Sequence, residues 1–403
     1  MGSPVHGKVI NHWLQPVEGV TVILGDQEVE TNALGEFEFV DVPEAYDVML
    51  DLTYSRYGVP ARYGWVYQGV TRRDPTLQVY GGLPLRQTNL LISPINVTAG
   101  TGRVVATALG GEYSRYDRQD DSAAYSTMSY YGPPSITMNA HALQWVEVDD
   151  LPIDYVAYDD AGLIAFDSES GDDIEVAGDL TESDVTSGTI SGTVATASTE
   201  TRSNAVFVRF ASNALIQVVD DSPGSQSNFT YTVPSLPDAS ILVAAHAGEI
   251  IDQERAVAYQ NGVSPGQTEI QLDIPPVAQL SGPEPGATLA DDTVFQWSRD
   301  DAQAQAFVWH LSANSLDEGI FVVTSQKQVK VSSFADRLEL IRPGEDYTWR
   351  VDTHGEPESV DAMLGPDGFM GNFNEIAYDE PEGPQTGSGT YTASAARSVV
   401  AAP

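Results

Sequence analysis

The chain has 403 residues, no cysteine, and 58 acidic residues against 19 lysines and arginines, which gives a formal net charge of -39. The absence of cysteine excludes disulfides, thiolate metal sites and cysteine nucleophiles. The acidic excess would repel phosphate over nearly the whole surface, which argues against nucleic acid as a partner.

One phrase of the sequence occurs three times, at intervals of roughly ninety residues, which indicates a small module copied in tandem. Each copy alternates apolar and polar residues, turns at a corner that contains proline, and continues with a second apolar stretch. This pattern is typical of two successive strands of a half-solvated antiparallel sheet. The three copies are Phe37–Leu50, Leu143–Val156 and Phe229–Leu242.

The first predicted segment covers residues 1–94. Its motifs Gly7-Lys8-Val9, Pro16–Val22, Thr31–Phe39 and Val42-Pro43 resemble the carboxypeptidase-regulatory-like domain, a small prealbumin-like β-sandwich. This resemblance implies a β-sandwich with no catalytic zinc, because domains of this family accompany peptidases without carrying their metal site.

A later stretch of the first segment, Trp65–Leu77, is similar to a part of surface lipoproteins of myxobacteria and their relatives. The resemblance implies a location at a bacterial cell surface. In this stretch Arg72, Arg73 and Asp74 form a charge cluster that we interpret as structural. Met1 leads almost directly into the first strand, so we expect an export signal or lipid anchor to have been removed.

The second and third predicted segments cover residues 95–184 and 185–275. Their openings, Gly100–Thr107 and Gly188–Thr196, parallel each other, and Ala256–Val263 matches Val66–Val70 of the first segment. The matches predict equivalent strands in each copy. We expect His141 and His246, which lie in or beside the repeated strand pair, to be packed or hydrogen-bonded residues.

The fourth predicted segment covers residues 276–403. Its motifs Leu280–Thr288, Val294–Trp297 and Pro343–Val351 are similar to a fibronectin type III-like domain. The resemblance implies packing positions for Trp297, Tyr347 and Trp349, with Tyr347 at the corner before its strand. We further predict a short helical turn within 333–340, a long acidic loop over 356–384 and a closing strand within 389–400. The predicted fold class is therefore all-β, a tandem array of Ig-like and prealbumin-like β-sandwich domains.

Catalytic patterns are absent from the sequence, which has six scattered histidines and no nucleophile elbow, paired zinc-binding histidines or phosphate loop. We therefore predict no catalytic residue and no enzyme activity. One acidic turn offers oxygen ligands of the kind that calcium prefers, and its alternative is a solvated hairpin loop. The candidate calcium ligands are Asp167, Glu169, Asp172 and Asp173.

A second candidate site is a loop over residues 112–131 in which tyrosine occurs with serine and arginine, a composition typical of recognition surfaces. The loop either binds an external partner or covers a neighbouring module. Its tyrosines are Tyr113, Tyr116, Tyr125, Tyr130 and Tyr131.

These features predict an exported, non-catalytic structural protein of the bacterial cell surface, an outer-membrane lipoprotein or appendage component forming a stiff, elongated spacer. Its expected partners are other surface proteins or glycans, with homo- or hetero-assembly, and membrane contact only through a trimmed lipid anchor. One alternative is an array of carbohydrate-binding modules that stack Trp13 and Trp65 on sugars. Another is an accessory region of a secreted enzyme. The acidic surface indicates either adaptation to salt or calcium loading.

Overall fold

The fold is all-β in the computed structural model, which confirms the predicted class. The residues that the structure describes are 2–11, 15–56, 59–79, 85–110, 114–119, 124–131, 133–169, 174–181, 185–196, 202–221, 227–248, 254–299, 306–315, 317–355, 357–365 and 388–402. Among them, no helix combines the length and the apolar character that crossing a lipid bilayer requires.

Eight strands lie in the first segment and six in the second, counted over the described residues. The strands of the first segment are β1 (Ser3–Asn11), β2 (Thr21–Leu24), β3 (Gln27–Glu30), β4 (Glu36–Val42), β5 (Tyr46–Arg56), β6 (Val59–Val70), β7 (Thr76–Val79) and β8 (Leu85–Ile92). Those of the second are β9 (Arg103–Gly110), β10 (Ser114–Gln119), β11 (Ala124–Tyr131), β12 (Ser135–Val148), β13 (Leu151–Asp167) and β14 (Ile174–Val176).

The third and fourth segments continue the β structure and add the short helices. The third contains β15 (Ser187–Thr196), β16 (Arg202–Phe210), β17 (Leu215–Asp221), β18 (Asn228–Pro234), β19 (Ala239–Gly248), β20 (Arg255–Val263) and β21 (Ile270–Ile274). The fourth contains β22 (Gln279–Gly282), β23 (Ala287–Leu289), β24 (Val294–Ser298), β25 (Phe307–Ala313), β26 (Glu318–Thr324), β27 (Gln328–Lys330), a 3-10 turn (Val331–Ser333), α1 (Ala335–Leu338), β28 (Asp346–His354), α2 (Val360–Met363), β29 (Ser388–Ala393) and β30 (Arg397–Ala401).

One large sheet runs through three of the four segments. Its strand order is β17, β16, β19, β20, β29, β28, β25, β26, β6, β5, β2 and β3, with β30 and β23 attached beside β28. Antiparallel pairing of β20 with β29 joins the third segment to the fourth. Parallel pairing of β26 with β6 joins the fourth segment back to the first.

Three smaller sheets pack against this large sheet to form sandwiches, in the orders β4-β1-β7, β18-β15-β21 and β22-β24-β27. In the first segment, for example, Val9 of β1 and Phe39 of β4 share a core with Leu50 of β5 and Trp65 of β6. The second segment contributes a separate sheet, β10-β9-β12-β13, while its strands β11 and β14 flank β8 of the first segment.

The hydrophobic cores extend across the boundaries between the predicted segments. The core of the first segment includes Ile136 and Phe166 from the second and Val308 from the fourth. The core of the third segment includes Leu143 and Trp145 from the second. Separate packing of four sandwiches in series was therefore the wrong expectation, because each segment shares buried apolar surface with its neighbours and the fourth pairs with the first. The elongated shape stays a prediction from the sequence. The boundaries themselves stay predictions.

The repeated phrase takes two different forms. In the second copy Asp149 and Asp150 have φ values of 53° and 61°, the positive angles that a two-residue hairpin turn requires, so β12 and β13 pair directly. In the first copy β4 pairs with β1 whereas β5 pairs with β6, because the corner at Pro43 carries the chain from one sheet to the other. The third copy follows the first, with β18 beside β15 and β19 beside β20. Two strands of a single sheet were thus predicted correctly for the second copy only.

A bulge with glycine confirms the sequence match between Ala256–Val263 and Val66–Val70. The register steps from Tyr46 opposite Val70 to Val48 opposite Tyr67 in the first segment, and from Ile241 opposite Val263 to Val243 opposite Gln260 in the third. Both bulges contain a glycine at positive φ, 70° at residue 69 and 74° at residue 262, a conformation that glycine adopts without steric cost.

Substitution of Gly64 tests the contact between the fourth and first segments. A β-carbon on Gly64 would lie 2.6 Å from Leu338 Cδ1 and 3.0 Å from Leu340 Cδ1, and both leucines are buried in the core of the fourth segment. We expect Gly64→Val to lower the free energy of unfolding by about 1–3 kcal/mol through overpacking, measured by urea titration. The control Thr53→Val, at an exposed position of the neighbouring strand, should change it by less than about 0.5 kcal/mol. An unchanged midpoint for Gly64→Val would contradict this close packing.

Candidate functional site

The predicted tyrosine loop is not a single loop in the structure. Tyr116 lies in β10, opposite Ala108 of the second segment, whereas Tyr125 and Tyr130 lie in β11, opposite Leu91 and Arg86 of the first. Tyr131 also lies in β11, and Tyr113 lies outside the described residues. The prediction of a loop was wrong because two stretches of this region join two different sheets through backbone pairing. Its role in binding stays a prediction.

The acidic turn proposed for calcium is described only in part, since Asp172 and Asp173 lie outside the described residues. Asp167 Oδ1 accepts a hydrogen bond from the backbone N–H of Glu169 at 3.0 Å. Glu169 in turn forms an ion pair with Arg86, at 3.2 Å between Oε1 and Nη1. Within the described ranges, no group of three or more histidine and acidic side chains is arranged to hold a metal ion.

The best-defined polar cluster of the described chain lies between the second and third segments and centres on His141. Its Nδ1 lies 3.1 Å from Tyr158 Oη, and its Nε2 lies 2.8 Å from Ser212 Oγ in the turn between β16 and β17. The ring stacks on Phe210 with 4.0 Å between centroids. Burial lowers the pKa of His141, although Asp160 and Asp159 oppose that shift. The histidine is therefore neutral at pH 7 and fixes the interface as a packed, hydrogen-bonded residue.

The contact of Ser212 with His141 resembles the first half of a nucleophile–base pair, but the rest of the arrangement serves packing. The third group that would orient the base, Asp160, lies 3.9 Å from Nδ1, and Tyr158 occupies the nearer position. Ser212 Oγ also accepts the backbone N–H of Ala214 at 3.4 Å. No sequence motif marks this contact, because Ser212 lies 71 residues from its partner.

Between the fourth and first segments, backbone pairing is reinforced by charged side chains. Asp361, at the start of α2, accepts hydrogen bonds from the backbone N–H groups of Thr71 and Arg72 at 2.9 and 3.1 Å, and from the Thr71 hydroxyl. Within the first segment, beside the paired strand β6, Arg62 donates two hydrogen bonds to Asp51, at 2.6 and 3.0 Å. Arg72 also pairs with Asp74 at 2.9 Å, in keeping with the structural role predicted for this cluster.

An open groove of about 810 Å³ lies along the same contact. Its lining includes Asp47 and Asp336, and the ion pair of Arg337 with Asp26 crosses it at 2.8 Å. Asp26 is fully exposed, so this pair contributes little to stability. Tyr46 also lines the groove but is only 5% exposed, so it does not offer a free face on which a sugar ring could stack.

At the contact between the third and fourth segments, buried cationic and aromatic side chains meet. The Arg255 guanidinium lies 5.3 Å from the centroid of the Tyr391 ring, and the His354 ring lies 5.0 Å from it on another strand. The nearby His246 has its pKa lowered to about 4 by burial and by the positive charge of Arg255, against a smaller opposing effect of Asp220. The expectation that His246 is a packed residue agrees with this environment.

The motifs assigned to packing in the fourth segment behave as the sequence predicted. Trp297 and Trp349 are buried. The Tyr347 hydroxyl donates to the carbonyl of Leu340 at 3.0 Å and accepts the N–H of Arg342 at 2.8 Å, which are the bonds of a corner tyrosine. The predicted helical turn is present as α1, and the predicted closing strand is divided into β29 and β30.

Comparisons with known proteins give only distant likenesses. No protein-family model and no curated protein matches the chain. Among solved structures, the TIE protein of Bacillus anthracis is 11% identical with a TM-score of 0.18, over 67% of this chain and 50% of that protein. The shaft pilin SpaA of Lactobacillus rhamnosus GG is 11% identical with a TM-score of 0.16, over 50% of this chain and 100% of the pilin. A streptococcal ancillary pilin is 8% identical with a TM-score of 0.15, over 68% and 99%. At these scores no argument about function follows.

The low pKa of His246 predicts a specific loss of stability in acid. His246 takes up a proton near pH 6.5 in the unfolded chain and only near pH 4 in the folded chain. The contribution of neutral His246 to the free energy of unfolding is therefore complete above pH 6.5 and is lost as pH falls towards 4. Between pH 6.5 and pH 4, we expect the free energy of unfolding of the wild type to fall by about 2 kcal/mol more than that of His246→Gln. Denaturant titrations at fixed ionic strength measure this difference. The variant serves as the reference for carboxylate effects common to both proteins. Parallel pH profiles would contradict the burial of a neutral His246.

Proposed function

We propose that the chain is an exported, non-catalytic structural protein of a bacterial cell surface, which acts in adhesion or in the assembly of a surface structure. The observation that carries the proposal is the closed series of contacts: the first segment packs on the second, the second on the third, the third pairs with the fourth, and the fourth pairs with the first. Such an arrangement suits a protein that must transmit or resist load as one block.

Polar side chains that lie between segments support the same proposal. His141, Asp361 and Arg255 are each engaged by partners from another segment, which fixes the position of one segment against the next. Groups held in this way are suited to a rigid scaffold, because a general acid or base must reach substrate rather than the protein's own backbone.

On this proposal the partners are other surface proteins or glycans, engaged by loops or by strand edges, and the chain forms homo- or hetero-assemblies. Attachment to the membrane is through a lipid anchor, as the resemblance to myxobacterial-type surface lipoproteins implies. The carboxypeptidase-regulatory-like and fibronectin-like motifs fit such a role, since both kinds of domain serve as modules beside other functions. The acidic surface would serve solubility in salt or the binding of calcium.

The alternative of a carbohydrate-binding array has weaker support. Trp65, one of the two tryptophans proposed to stack on sugars, is completely buried in the core of the first segment. Trp13 lies outside the described residues. The other four tryptophans are also buried, so stacking would depend on side chains that the sequence did not single out. An accessory region of a secreted enzyme stays an alternative that only the full reading frame can test.

Surface accessibility on intact cells of the source organism tests the proposal. Antibodies raised against the full chain should label intact cells, and brief treatment with an external protease should remove the label while a cytoplasmic marker protein is retained. The physical reason is that an exported protein lies outside the permeability barrier. Labelling that appears only after lysis would contradict the proposal.

A further inference from the structure

The bulge glycines have a shared feature beyond their backbone angle: a side-chain oxygen accepts the N–H of each. Gly69 donates to Asp47 Oδ1 at 2.8 Å, and Gly162, beside the register shift of β12 and β13, donates to Asp160 Oδ1 at 3.1 Å. In the third segment the acceptor is different. The N–H of Gly262 donates at 2.8 Å to the side-chain amide oxygen of the residue before it, Asn261.

This difference creates a reactive geometry at one position. Because Asn261 Oδ1 contacts the Gly262 nitrogen, the amide carbon Cγ, one bond from that oxygen, lies next to the same nitrogen. Closure of a bond between them would form a five-membered ring. Asn261-Gly262 is the only Asn-Gly pair in the sequence, and glycine presents no side chain to hinder approach to its nitrogen.

The surroundings leave room for the reaction. Gly262 is exposed and Asn261 is partly exposed at the end of β20, so hydroxide and water reach both residues. Apart from Gly262 and its two chain neighbours, no heavy atom of the described residues lies within 4 Å of the place that a β-carbon on Gly262 would occupy. The Gly262 nitrogen is therefore not crowded by residues from elsewhere in the described chain.

We propose that Asn261 is a site of spontaneous conversion from amide to acid in the folded protein. Hydroxide removes the proton of the Gly262 amide, the nitrogen forms a bond to Asn261 Cγ, and the side-chain nitrogen leaves as ammonia to give a cyclic imide. Water then adds to one of the two imide carbonyls and breaks one C–N bond, which produces aspartate or isoaspartate. No oxidant or reductant takes part.

The aspartate product fits the bulge, because its carboxylate accepts the Gly262 N–H from the place of the present amide oxygen. Carboxylates already accept the N–H of Gly69, from Asp47 on the neighbouring strand, and of Gly162, from Asp160 two residues earlier. A carboxylate accepts an N–H more strongly than an amide does. The isoaspartate product adds a methylene to the backbone between Gln260 and Val263, where the register to β19 is fixed on both sides of the bulge. The folded protein should therefore tolerate the aspartate form, and the isoaspartate form should loosen this end of β20.

Incubation of the folded full-length chain in mildly alkaline buffer at physiological temperature, followed by digestion and mass spectrometry, tests the proposal. We expect the peptide that contains Asn261 to lose its amide with time, while peptides that contain Asn204 and Asn213, each followed by alanine, keep theirs. Asn261→Gln should abolish the conversion, because its longer side chain would have to close a larger ring. Retention of the amide at Asn261 in the folded chain would overturn the proposal, whether or not the chain loses it in urea.

The variant Asn261→Asp tests the fit of the product separately. It should fold with the circular dichroism spectrum and melting behaviour of the wild type, because aspartate is already the acceptor in the other two bulges. Loss of folding in this variant would overturn the inference that the bulge accepts a carboxylate.

Discussion

The parallel pairing of β26 with β6 is the contact on which the arrangement of the whole molecule depends. It places residues 318–323 of the fourth segment beside residues 62–67 of the first, across a separation of more than 250 positions in the sequence. Without it, the remaining contacts would leave an open series of sandwiches. With it, the large sheet passes through three segments, and the second segment closes the series by sharing its core residues with the first and third.

The four segments must come together against strong electrostatic self-repulsion, because the formal charge of the chain is -39. The few cationic side chains are placed accordingly. Arg62 pairs with Asp51 beside the parallel contact, and Arg255 lies against Tyr391 where the third and fourth segments meet. Neutral His141, whose pKa is lowered by burial, adds a hydrogen bond and packing between the second and third segments without adding charge.

The sequence predicted the local structure well and the long-range structure poorly, for a physical reason. Strand alternation, turn residues and the bulge at Gly69 and Gly262 are encoded by neighbouring residues, so the repeat and the fold class could be inferred. Pairing between the edges of distant strands depends on backbone groups that all residues share. The contact between the first and fourth segments is therefore not marked by a sequence motif. The same limit applies to the candidate site: His141 was identified as a packed residue, but its partner Ser212 could not be.

Small-angle X-ray scattering of the full chain tests the closed arrangement most directly. A compact chain of this length should have a radius of gyration of about 22 Å, with a single-peaked distance distribution. Four sandwiches of about 100 residues each, connected end to end, would give roughly twice that value and a long tail of distances. The compact value is the result that we predict, and the extended value would contradict the pairing of the fourth segment with the first.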